Sequence, residues 1–247
     1  MTYTINIVIK ILIATAAAIL LGNGSVVAFN HLPQKWFEDW EGEGDEAKRI
    51  LPDALVAADN AGRQRLASTP WKYIFTGLFL MIGAYLVMTA SVKYEIATLC
   101  ILAVLLEMAI ADQLYKTVPD QLQILLAVCT LGLVDINEKW WEPLAGAGIG
   151  LALGLAVLGL GLLIFKTGSM GGADIKFFMV IGLATGRRGV LIIFILTTLF
   201  FAAESVYRIA TGRGSIKDRV AMIPAGFVAV LVYMLFLWNR TDLWLMF

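Results

Sequence analysis

Two acidic stretches stand out against an apolar background. "LCILAVLLEMAIAD" ends on Asp112 and runs on into "DQLYKTVPDQL", which carries Pro119 and Asp120. "GGADIKFF" holds Gly171, Gly172, Asp174 and Lys176 and opens a second apolar run. Carboxylates at the edge of hydrocarbon are expensive, and they are functional by default when they face a bundle interior. Two of them about 3 Å apart cannot both ionise easily, so they share a proton. The ionised partner is then a general base for water, and the protonated one can hydrogen-bond a scissile carbonyl and help protonate the leaving amine. No metal is needed for that chemistry.

Each residue also has a plainer reading. Asp112 can be a solvated helix-end residue, with Pro119 and Asp120 starting the next helix. Asp174 can be a first-turn acid favoured by the helix dipole. Gly171 and Gly172 allow positive φ and close approach of a ligand chain. Lys176 can hold the charge of the pair or meet a lipid phosphate. Glu107 and Glu204 are further acids within apolar runs.

The elements that must position these residues are membrane helices. The chain has 247 residues, 60% hydrophobic and 15% charged, with formal net charge zero. Several apolar runs reach the roughly 18 residues needed to cross the hydrocarbon. Eight segments can be drawn, at about 4–29, 72–91, 95–112, 121–135, 143–165, 174–186, 189–207 and 221–246. The expected fold is an all-α polytopic bundle of about eight transmembrane helices, forming one integral membrane domain over 1–247. The first run lacks a basic n-region, so it reads as a retained helix and not as a signal peptide. The fourth and sixth segments are short for a full span, as is common around functional cavities.

The one long polar stretch runs over 31–71 and includes "EDWEGEGDEAKR", with room for a small amphipathic element around 46–58. Most of the 19 Lys and Arg residues fall on one set of alternate loops, at 31–71, 112–120, 166–174 and 208–220. The positive-inside rule makes those loops cytoplasmic and both termini external. Asp112 and Asp174 then emerge on the same membrane face. Neutral net charge gives no indication of nucleic acid as a partner. Cys100 and Cys129 form no C-x-x-C pair, which excludes a zinc ribbon, and the lone His31 offers no metal site.

At these residues the sequence resembles the type IV prepilin peptidases, the GxGD-type intramembrane aspartic proteases. Asp112, Pro119 and Asp120 fit the family's first motif, in which an aspartate is followed seven and eight residues later by Pro and Asp or Asn. "GGADIKFF" is similar to the second motif, Gly-x-Gly-Asp-x-Lys, with Ala173 in place of its second glycine. "GNGSVVAFNHLP" resembles the segment that closes the family's first helix, with His31 where arginine is usual. "IPAGFVAV" at 223–230 resembles the Ile-Pro-Phe-Gly-Pro segment opening the last one. The zinc-binding cysteine pairs that bacterial members carry in the first cytoplasmic loop are absent.

The resemblance implies a multi-pass inner-membrane aspartic endopeptidase that cuts the leader of type IV prepilins or pilin-like proteins at the cytoplasmic interface. Asp112 and Asp174 would be catalytic, and Gly171, Gly172, Lys176, Pro119 and Asp120 supporting. Proteolysis would need no cofactor. Bifunctional members also N-methylate the new N-terminus with S-adenosylmethionine, and no motif here speaks for or against that activity. The competing reading is an ion-coupled transporter using the same carboxylates, although no internal repeat is visible.

Overall fold

The computed structural model describes residues 2–37, 66–136, 139–165, 171–212 and 220–238, and every regular element in them is helical. The amphipathic element expected around 46–58 lies outside the described residues. Helix α1 (Thr2–Ala17) passes through a π-helical turn (Ala18–Asn23) into α2 (Gly24–His31). Then follow α3 (Trp71–Thr89), α4 (Val92–Tyr115), α5 (Asp120–Thr130, continued as a 3-10 stretch to Ile136) and α6 (Glu142–Phe165). Helix α7 (Gly172–Ala210) and helix α8 (Ile223–Val232, continued as a π-helix to Leu237) complete the described set.

Five helical stretches are long and apolar enough to cross a membrane: Ile5–His31, Trp71–Thr89, Val92–Tyr115, Glu142–Leu163 and Gly172–Ala210. The chain is a multi-pass membrane protein. Two shorter apolar helices, Asp120–Val134 and Ile223–Leu237, lie among them. The longest helix is not one rod. Gly186 has φ 69° and ψ −173°, a conformation that only glycine adopts readily, and it divides α7 into 172–185 and 187–210. That break falls between the sixth and seventh segments drawn from hydropathy. Helix α4 runs one turn past the expected end at 112, to Tyr115, and Lys116 stops it in a left-handed conformation at φ 56°.

Helix α4 is the centre of the bundle. In its most apolar stretch 83% is buried, against 22–28% in the other four. Those outer helices turn Leu12, Leu20, Met81, Leu163, Leu199 and similar side chains outward, as lipid contact requires.

Helices in lipid gain little from hydrophobic burial against one another, so close backbone packing holds them together. Two antiparallel seams show it. In the first, a Cβ added to Gly22 would lie 2.6 Å from the Thr76 backbone, and one on Gly83 would lie 2.8 Å from the Ala14 Cβ. In the second, Gly146, Gly150 and Gly154 line one face of α6 at intervals of four. Added Cβ atoms there would meet Gly182 O at 2.2 Å, Phe178 O at 2.1 Å and Ile175 Cα at 3.1 Å. The first half of α7 is thereby clamped on α6, backbone against backbone at Gly146 and Gly150. Lys10 on α1 donates to the carbonyls of Val87, at 3.2 Å, and Ala90, fastening the C-terminal end of α3. At the other end of α3, Asn30 clasps the backbone of Leu66, donating to its carbonyl at 3.0 Å and accepting from its amide at 2.8 Å. That clasp closes the base of the polar stretch.

Candidate active site

Four helix ends meet at one end of the bundle: the C-terminus of α4 and the N-termini of α5, α7 and α8. Three contacts tie them together, and each involves a residue at or beside the two acidic stretches.

Asp112 sits in the last turn of α4 and is 8% exposed. Its Oδ2 accepts from the backbone N–H of Ile223 at 2.9 Å. Ile223 is the first residue of α8 and Pro224 follows it. The first amides of a helix have no partner within it, and they carry the positive end of its dipole. Asp112 takes up one of them, so the Ile-Pro segment at 223–224 fixes this carboxylate. The resemblance at 223–230 gives that segment no role; the contact does. A proline in the first turn, which marks a helix start, is the signal that could have pointed to it.

Asp174 is the third residue of α7 and is half-buried. Its Oδ2 accepts from the N–H of Gly171 at 3.2 Å, while its own N–H donates to Gly171 O at 3.1 Å. The first-turn role expected from sequence is therefore present, and it leaves one carboxylate oxygen uncommitted to the cap. The charge of Asp112 reaches Asp174 across the meeting helix ends. The charge argument that put them on one membrane face and the helix geometry agree on this.

Positive φ is not what the glycines contribute. Gly171 has φ −74° and ψ 152°, ordinary extended backbone, and Gly172 is helical. Both are exposed. A Cβ on Gly172 would meet nothing within 4 Å, and one on Gly171 would meet only the Asp174 carboxylate, at 3.4 Å. What they provide is bare backbone and open space beside Asp174.

Lys176 does not join the carboxylate pair. Its Nζ lies 2.6 Å from Asp120 Oδ1, an ion pair whose side chains are 47% and 63% exposed. An exposed pair of this kind is worth about 0–1 kcal/mol, and here it links the starts of α5 and α7. Pro119, buried, supplies the N-cap position of α5, and its carbonyl accepts from the amides of Leu122 and Gln123. Lys116 lies outside the helix on the same rim. Burial pushes its ammonium below the ordinary lysine range, opposed by the charge of Asp112 and reinforced by Arg208.

Of the other acids, Glu204 is taken up by Arg208, with contacts of 2.5 and 3.0 Å. Glu107 faces Ser25 on α2 and has one carboxylate oxygen without a partner. Gln123 was missed altogether. It is 4% exposed, and its Nε2 donates to the carbonyl of Ala173 at 2.9 Å. It lies three residues beyond Asp120, hence on the same helix face. Among the described residues, no three His, Cys, Asp or Glu side chains cluster as metal ligands would.

Residues 98–206 match the type IV leader peptidase family. That stretch contains both aspartates, Pro119, Asp120, Gln123, the glycine pair and Lys176. A protein of Xanthomonas campestris pv. campestris described as "Prepilin leader peptidase/N-methyltransferase" is 33% identical over 142 residues, 55% of this chain and 47% of that protein. The alignment thus spans about half the length of the curated relative. No solved structure matches the chain.

Proposed function

We propose that this chain, whose residues 98–206 carry the type IV leader peptidase signature, is a membrane aspartic endopeptidase. It removes the N-terminal leader of type IV prepilins or pilin-like proteins at the cytoplasmic face of the inner membrane. The observation that carries the reading is that Asp112 and Asp174, from two separate motifs, lie on helix ends that meet at one end of the bundle, tied there by the Asp112–Ile223, Gln123–Ala173 and Asp120–Lys176 contacts.

In this reading one carboxylate is ionised and takes a proton from water, which attacks the scissile carbonyl carbon. The other is protonated and donates to the carbonyl oxygen as charge develops there. The tetrahedral intermediate then collapses, the C–N bond breaks, and the proton taken from water passes to the leaving amine. The substrate's extended leader lies against the bare backbone of Gly171 and Gly172, and its apolar helix remains in the lipid beside the enzyme. Ile223 N–H holds Asp112 and Gly171 N–H holds Asp174, so both carboxyl groups are oriented before substrate arrives.

Methyl transfer stays outside the proposal. A site for S-adenosylmethionine needs polar groups to take its ribose hydroxyls and its amino-acid end. One cavity, of about 550 Å³, is an open groove along the first helix, around Ile19, Leu20 and Val27. A second, of about 400 Å³, is walled by Tyr85, Tyr94, Phe236 and Trp238. Their polar side chains include Asn23 and His31 in the first and Tyr85, Thr89, Ser91 and Tyr94 in the second, and methylation of the new N-terminus is read by sequencing the cleaved product. The ion-coupled transporter reading is not favoured either, because the sequence match is to peptidases.

The test is co-expression with candidate pilins of the same genome, followed by N-terminal sequencing of the product. The wild-type chain releases the leader. Asp112→Asn and Asp174→Asn each lose about 10²–10⁴-fold in rate while remaining membrane-inserted. Processing near the wild-type rate by either variant refutes the assignment of the pair.

A further inference from the structure

We infer that Gln123 is a positioning residue for Asp174, acting through the peptide bond that leads into it. This rests on the peptidase reading above and adds to it a residue that neither motif singles out.

The geometry is specific. A helical carbonyl offers two lone pairs, and in α7 the regular helix bond to the amide four residues on uses one of those on Ala173. The Gln123 side chain, reaching across from α5, takes the other at 2.9 Å. The same peptide unit is held on its far side, because the Asp174 N–H donates to Gly171 O at 3.1 Å. A peptide unit is planar and includes the following Cα. Fixing its carbonyl and its N–H therefore fixes the Cα of Asp174 and the N–Cα bond about which its side chain is set. The Asp120–Lys176 pair ties the same two helices, but it is exposed and touches α7 two residues beyond Asp174. Of the two contacts from α5, only that of Gln123 reaches the peptide unit leading into Asp174.

The amide is not placed there to maximise stability. Gln123 Oε1 is buried with no hydrogen-bond partner, and an orphaned buried acceptor is destabilising. An apolar side chain of the same shape would lose one hydrogen bond and remove one orphan. A structural role and a positioning role thus make opposite predictions for Gln123→Met.

The experiment measures leader cleavage and thermal stability on the full chain in detergent micelles. For Gln123→Met we expect kcat lower by about ten- to a hundredfold, the scale of a misplacement near 1 Å, with KM unchanged and Tm equal to or above wild type. Gln123→Asn retracts the amide from Ala173 and is expected to lose kcat in the same way. It decides the matter if the Met variant does not fold. Wild-type kcat in the variant that folds overturns the inference, and so does a loss of kcat that tracks a fall in Tm. If the folded wild-type chain cleaves no leader, the peptidase reading itself fails and the role falls with it. An active wild type beside an unimpaired Gln123→Met refutes the role of Gln123 alone.

Discussion

Gly150→Ala tests how the membrane packing reaches the chemistry. The methyl group would lie 2.1 Å from Phe178 O, 2.6 Å from Phe178 C and 3.0 Å from Met179 N. All three are backbone atoms, so no side chain can rotate away. Ordinary van der Waals contact begins near 3.4 Å. Relief therefore needs the two helices to part by about 1.3 Å along that contact, and overpacking on this scale costs about 1–3 kcal/mol. Asp174 lies one helical turn from Phe178 on the same short rod, 172–185, so the displacement carries to its carboxylate. Catalytic geometry lost by about 1 Å costs about 10²-fold in rate. The assay is leader processing by purified protein, with Tm recorded beside kcat. Gly148→Ala is the control, because an added Cβ there meets nothing within 4 Å. Gly150→Ala should lose both rate and stability while Gly148→Ala matches wild type. If the two alanine variants behave alike, the glycine seam does not hold the site, and the reasoning fails.

Further expectations concern the rim. Ile223→Pro removes the amide that Asp112 accepts from; hydrogen bonds to charged groups are worth about 1.5–3 kcal/mol, so kcat should fall by about ten- to a hundredfold, and an unchanged kcat would show that Asp112 is held by other means. Lys176→Met and Asp120→Asn each break an exposed pair, so a double-mutant cycle on Tm should give a coupling below about 1 kcal/mol. Processing should fall modestly with Lys176→Met and hold nearly unchanged with Asp120→Asn; loss in the latter equal to that of Asp112→Asn would mean that the wrong aspartate of the first motif has been assigned.

The sequence by itself determined the helical membrane class and the chemical candidates. Apolar runs of spanning length leave a polypeptide in lipid few options other than helices, because backbone amides find no water there. Counting basic loops was enough to bring Asp112 and Asp174 to one face, since sidedness depends on composition along the chain and not on contacts. The division of α7 at Gly186 coincides with the end of the sixth apolar segment, 174–186, which hydropathy separates from the seventh, 189–207.

What the tertiary structure decided are the contacts between residues distant in sequence. Asp112 is held by an amide 111 residues away, Ala173 by a glutamine 50 residues away, and Lys176 by an aspartate 56 residues away. None of these leaves a periodic signature, because each depends on the axial register of two helices. The register of α7 against α6 is likewise set where Gly146, Gly150 and Gly182 let backbone touch backbone, which hydropathy cannot read. Of the two uses expected of Gly171 and Gly172, positive φ and close approach of a ligand chain, the fold leaves only the second. Their φ angles are ordinary, and their use lies in the space beside Asp174, which exists only once α7 is in place.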